Sequence, residues 1–175
     1  MLTRLVMRSS LGLDGTWEFW PEKARRLTGE PLRPRFVSAR ERTAALGEPR
    51  RIEVPGVWQA QFEDLRMFSG IAWYERRLVV PASWRERALR LRFGAVDYFC
   101  TVWINGREAG RHEGGYLPFD LDVGRLVAYG EASIVTLCVL DVGPGDNAPI
   151  PFDEIPHGKQ RVGTGPLEEC GRACG

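Results

Sequence analysis

The sequence predicts an all-β fold, an antiparallel two-sheet sandwich of jelly-roll type with little helix. Three observations carry that prediction. Apolar and polar residues alternate with a period of two through several short runs, as in strands with one face buried. Gly, Pro and Asn-Gly punctuate these runs at short intervals, where an antiparallel chain must turn. Helical periodicity is confined to two short stretches, so no helical layer is available to cover a sheet.

Taken in chain order, "TWEFW" around Trp17 and Phe19 is the first strand. Residues 23–50 interrupt the pattern with arginines interleaved with Glu30, Glu41 and Glu48, and read as a solvated, irregular insertion in which "SARERTAALGE" can form a helical turn or two. "RIEVP" resumes the strand pattern, and "WQAQFEDLRMF" is the second short helical signal. "IAWYERRLVVP" is a strand ended by Pro81, which has no N–H to extend a ladder. In "WRERALRLRF" the side chains of Leu89, Leu91 and Phe93 share one face while Arg90 and Arg92 take the other. "YFCTVWINGREAG" runs through Asn105-Gly106, the pair that most easily takes positive φ in a tight hairpin.

Gly114-Gly115 then lets the chain reverse where a Cβ would clash. After Pro118, Phe119, Leu121 and Val123 face inward, and Asp120 and Asp122 face out or cap turns. "ASIVTLCVLDV" is the last clear strand. Trp17, Trp73 and Trp103 lie inside strands and are expected in the packing; Trp58, after a Pro-Gly turn, is expected to be partly exposed.

Composition narrows the functional classes. The 175 residues suit one domain, and 43% hydrophobic with 27% charged residues is ordinary for a globular protein. Lys+Arg of 24 against Asp+Glu of 23 lacks the basic surplus a nucleic-acid binder needs. No stretch approaches the about 18 apolar residues that suggest a membrane span, and the N-terminus carries no signal-peptide run, so no membrane partner is expected and the expected compartment is the cytoplasm. Cys100 and Cys138 sit singly in apolar strands, as buried thiols do, and Cys170 and Cys174 lack the further ligands of a zinc site. No metal and no cofactor are expected.

The order of the phrases "LDGTWEFW", "IEVPGVWQ", "GIAWYERRLVVP" and "LRFGAVDYFCTVWINGREAGRHEGGYLPFDLDV" resembles the N-terminal sugar-binding domain of the family 2 glycoside hydrolases, the β-galactosidase and β-glucuronidase family. The resemblance covers nearly all of residues 11–160 and is weakest between Glu22 and Arg50. It implies a galactose-binding-domain-like jelly roll over residues 1–160 that supports hydrolysis of glycosides. The carbohydrate partner would be met through a parent enzyme, whose two catalytic glutamates lie on a barrel that follows this domain and an immunoglobulin-like domain. Neither further domain is read in this sequence. Glu63-Asp64 and Asp153-Glu154 are adjacent, solvated pairs rather than carboxylates set about 5–5.5 Å apart across a glycosidic bond. No catalytic residue is assigned, and the chain alone is expected to be inactive.

The stretch "DVGPGDNAPIPFDEIPHGKQ" is a long Pro- and Gly-rich loop of the kind that is usually functional or disordered. Asp146, Asn147, Asp153, Glu154, His157, Lys159 and Gln160 offer groups that hydrogen-bond hydroxyls and carboxylates. By resemblance this loop reaches toward the active site, which makes Asp153, Glu154, His157, Lys159 and Gln160 the candidate supporting residues for substrate. The alternative for each is a turn cap or a surface pair. A free-standing carbohydrate-binding module and a purely structural jelly roll are the competing readings of the whole chain.

Beyond Gln160 the period disappears. Residues 161–175, "RVGTGPLEECGRACG", are expected to be a disordered tail. If each codon is read from the third base of one codon and the first two of the next, Gly163-Thr164 permits Tyr, and both Cys170-Gly171 and Cys174-Gly175 permit Trp. The family pattern has a Tyr-Gly-Pro turn and a Trp-containing closing strand there, so a frame shift shortly after Gln160 is expected. A sandwich without its closing strand would present an unpaired, aggregation-prone edge.

Overall fold

Eight strands and two short helices are seen in the computed structural model, which describes residues 9–23 and 34–141. In chain order they are β1 (Gly15–Glu22), α1 (Ala39–Leu46), β2 (Arg50–Val54), α2 (Trp58–Gln61), β3 (Gly70–Val79), β4 (Arg90–Phe93), β5 (Phe99–Ile104), β6 (Arg107–Glu113), β7 (Phe119–Asp122) and β8 (Ala132–Asp141). Two 3-10 turns, Glu63–Leu65 and Ala82–Trp84, complete the described set.

The strands form an antiparallel sandwich of unequal sheets. One sheet has six strands in the order β2-β1-β3-β8-β5-β6, and the other pairs β4 with β7. Non-local pairing dominates: the longest ladder runs from Gly70↔Asp141 to Val79↔Ala132, joining β3 to β8. The tight hairpin β5–β6 turns at Asn105 (φ 51°) and Gly106 (φ 78°), the two positive values its turn requires.

Alternation along the strands sorts side chains onto two faces. The inner face carries Trp17, Phe19, Ile52, Ala72, Cys100, Val102, Ile104, Val135, Leu137 and Val139. It is closed by Leu91, Phe93, Phe119 and Leu121 of the small sheet and by Trp58, Leu65 and Phe68 from α2 and the turn after it. Each fully buried large apolar side chain contributes about 1.5–3 kcal/mol, so this face supplies most of the favourable free energy. Trp58 is only 4% exposed, against the sequence expectation of partial exposure. Its indole packs on Phe68 and Tyr74, and its Nε1 donates to the Phe68 carbonyl at 3.1 Å, which the Pro-Gly turn before it makes possible.

The outer face is also apolar at its centre, with Trp20, Ile71, Trp73, Trp103, Cys138 and Leu140 buried together under Phe36, Val37 and α1. For residues 34–50, the described part of the stretch after Lys23, this corrects the reading as a solvated insertion. α1 starts with a capping box in which Glu41 Oε2 accepts from the Ser38 N–H at 2.9 Å while the Glu41 N–H donates to Ser38 Oγ. The Ser38 N–H, and after it the Ser38 hydroxyl donating to the same oxygen at 2.8 Å, hold the Glu41 carboxyl below its ordinary value. From α1 the side chain of Arg42 is driven wholly out of solvent, over the rings of Trp20 and Trp73, and it ion-pairs with Glu75 of β3. Its Nη1 donates to the Val37 carbonyl at 2.7 Å, and Thr136 Oγ1 donates to the same Glu75 carboxylate at 3.1 Å. A charge buried this way persists only because it is paired and hydrogen-bonded.

Candidate functional site

The register of the large sheet gathers several strand ends and loops at one end. There β8 ends at Asp141 opposite Gly70, where β3 begins, and Leu140 pairs with Phe99, where β5 begins. β1 ends beside them through Glu22↔Ile71, and β6 ends through Glu113↔Phe99. The ends of β4 and β7 meet at Phe93↔Phe119. Lys23, Phe68–Ser69, Asp97–Tyr98 and the turn 114–118 therefore share this end with Asp141, the last described residue of β8.

Asp141 is fixed from α2. Gln59 Nε2 donates to Asp141 Oδ2 at 2.9 Å and to the Phe68 carbonyl at 3.2 Å, tying the exit of β8 to the segment that enters β3. The buried Tyr74 hydroxyl lies in the same neighbourhood; burial first and the Asp141 charge second push its pKa well above that of an ordinary phenol, so it stays protonated. The 114–118 turn closes on the next loop. The Gly114 N–H donates to the Tyr98 carbonyl at 2.9 Å, and a Cβ on Gly115 would fall 2.8 Å from Asp97 Cγ. Tyr116 and Leu117 project into solvent from this turn.

Among the described residues, Asp64, Glu63 and Cys100 supply no catalytic pair. Asp64 accepts from both terminal nitrogens of Arg50 and from Lys23 Nζ, each at 2.7 Å, which holds its carboxyl far below the usual range and unable to serve as an acid. Its neighbour Glu63 lies on the surface 3.7 Å from Arg66. Burial pushes the Cys100 thiol up to about 12, so it is no nucleophile. The ring of His112 stacks on Phe119 with centroids 3.9 Å apart, on the inner side of the small sheet. Among the described residues no group of His, Cys, Asp and Glu could hold a metal ion, and no helix is long and apolar enough to cross a membrane.

Of the sequence-predicted positions, Asp153, Glu154, His157, Lys159 and Gln160, with Asp146 and Asn147, lie outside the described residues; so do the tail after Gln160 and its expected frame shift. The structure does describe Asp141, the residue that precedes residues 142–160 in the chain. The Gln59–Asp141 link was not legible in the sequence, because its partners are 82 positions apart. The local signal was limited to the phrase "VPGVWQ", in which Gln59 follows Trp58.

Residues 11–148 match the protein family described as glycosyl hydrolases family 2, sugar binding domain. The chain belongs to this family. Among relatives of this family 2 domain, the β-glucuronidase of Rattus norvegicus is 36% identical over 124 residues, which cover 67% of this chain and 18% of the rat protein. That of Canis lupus familiaris is 35% identical over 132 residues, covering 72% and 20%. The crystal structure of Ruminococcus gnavus β-glucuronidase superposes with a TM-score of 0.59 at 28% identity, over 74% of this chain and 21% of that one. The chain thus spans about a fifth of the length of the relatives it matches. The all-β sandwich and the family agree with the sequence reading.

Proposed function

We propose that this family 2 domain serves a β-glucuronidase-type hydrolase, presenting the segment 142–160 to a glycoside bound by the catalytic part of the parent enzyme. The supporting observation is the family match combined with the position of Asp141, which starts that segment from an end of the sandwich braced by Gln59, Phe68 and Gly70. In this reading Asp153, Glu154, His157, Lys159 and Gln160 hydrogen-bond substrate or the loop around it, while the acid/base and nucleophile come from a barrel reached through an immunoglobulin-like domain. The β-glucuronide class is taken from the names of the relatives. The buried thiols of Cys100 and Cys138 support a reducing compartment, the cytoplasm.

The test is a chimaera. This domain replaces its counterpart in a full-length family 2 β-glucuronidase, and hydrolysis of 4-nitrophenyl β-D-glucuronide is followed. The chimaera is expected to be active, and His157→Ala with Lys159→Ala is expected to raise KM with little change in kcat, the signature of lost ground-state binding. Unchanged KM in an active chimaera removes these residues from the site. The chain by itself is expected to release no nitrophenol.

A further inference from the structure

Among the described residues the large sheet ends in β2 on one side and in β6 on the other, and an edge strand offers its outward N–H and C=O groups to a further strand. The β6 edge is blunted within its own ladder. Its register against β5 shifts between Val102 and Trp103, a bulge of the kind that twists an edge away from new partners. The β2 register has no such shift: its five residues pair with β1 from Gly15↔Val54 to Phe19↔Arg50 without a break.

The β2 edge is met instead by an amide. Gln61, the last residue of α2, reaches back to the strand: its Oε1 accepts from the Glu53 N–H at 2.8 Å, and its Nε2 donates to the Glu53 carbonyl at 2.9 Å. One side chain thus satisfies both outward groups of one residue, as the opposite residue of a neighbouring strand does in a hydrogen-bonded antiparallel pair. Gly56 makes room for it, since a Cβ there would lie 2.6 Å from Gln61 Nε2 and 2.8 Å from the Glu53 oxygen. Alternation along an antiparallel strand turns the backbone of Arg51 to the same side as that of Glu53, and the backbone of Ile52 toward β1.

We propose that the Gln61 amide guards this edge against a second copy of this chain, whose β2 would pair antiparallel with it. The strand is self-complementary. A two-fold axis at Ile52 sets Arg51 of each copy opposite Glu53 of the other, so opposite charges meet twice and both residues bring the outward backbone groups that such a pair exchanges. Arg51 and Glu53 are exposed while Ile52 points into the core, so the contact needs no rearrangement of buried side chains. Gln61 occupies the same Glu53 groups, and pairing requires each copy to release both of its hydrogen bonds.

This inference concerns self-association and does not depend on the glucuronidase reading. The full chain is compared with Gln61→Ala and Gln61→Asn by sedimentation velocity across a range of concentrations; asparagine keeps an amide but is one methylene shorter and withdraws it from Glu53. Both variants are expected to dimerise about thirtyfold more tightly than the wild type, the low end for two hydrogen bonds released per copy. Gln61 is exposed, so far-UV circular dichroism should report a folded chain in each. Adding Glu53→Arg to Gln61→Ala sets arginine against Arg51 and should return the monomer. Adding Arg51→Glu as well restores opposite charges and should restore the dimer, which distinguishes pairing through β2 from association through any other edge. Equal association of the wild type and the folded Gln61 variants overturns the proposal, as does a dimer that is indifferent to the Glu53 reversal.

Discussion

Replacing Glu75 by glutamine tests the least expected element of the fold, the buried Arg42–Glu75 pair. The Arg42 side chain is wholly inaccessible and that of Glu75 is 12% exposed, so solvent cannot take over as the partner of the guanidinium. The glutamine keeps the size of the side chain and can still accept from Thr136, but it leaves a cation between Trp20 and Trp73 without a counter-charge. Removing one member of a buried pair costs about 3–5 kcal/mol, a large share of the roughly 5–15 kcal/mol that holds a domain together. At about 2–4 °C per kcal/mol for a chain of this size, Tm should fall by on the order of 10 °C.

The assay is urea unfolding followed by far-UV circular dichroism and by tryptophan emission, because Trp20 and Trp73 change environment when α1 lifts. The double variant Arg42→Met with Glu75→Leu replaces the pair by apolar groups and should recover to within about 2 kcal/mol of the wild type. A loss below about 1 kcal/mol in Glu75→Gln would refute the reasoning, since that is the worth of a pair exposed to water. Arg42 would then be a surface residue, and α1 would not be locked to the outer face.

Other expectations follow from single contacts. Gly115→Ala places a methyl group against Asp97 beneath the 114–118 turn; a loss of about 1–3 kcal/mol is expected in urea unfolding, and a neutral result would mean that the turn is looser than described. Asp64 has a folded pKa depressed by Arg50 and Lys23, so its contribution is present above its unfolded value, about 4, and is lost as pH falls below it toward the folded value. In an acid titration of stability Asp64→Asn should therefore flatten the decline below about pH 4, and coincident acid limbs would contradict the assignment. Cys100 should resist alkylation by iodoacetamide at about pH 8 in the native state and react in urea; mass spectrometry of its peptide distinguishes the two, and native labelling would count against the buried thiol.

By itself the sequence determined the strands, the hairpin and the family. Side-chain alternation in "LRLRF" and "FDLD" is a local property of an extended chain, and Leu91, Phe93, Phe119 and Leu121 all face the inner core as their period requires. Asn105-Gly106 turns as its own dihedral preferences demand. The tertiary structure decided what depends on partners distant in the chain. Trp58 follows a Pro-Gly turn and reads as partly exposed, yet it packs against Phe68 and Tyr74 and is buried. Arg42 belongs to an arginine-rich, polar stretch, and its burial depends on a carboxylate 33 positions away and on two indole rings from different strands. The strand ends around Asp141 and Gly70 come together only because β8 pairs with β3 and β5 on either side. Such pairings leave no periodic trace, because register between distant strands is set by how whole faces fit together.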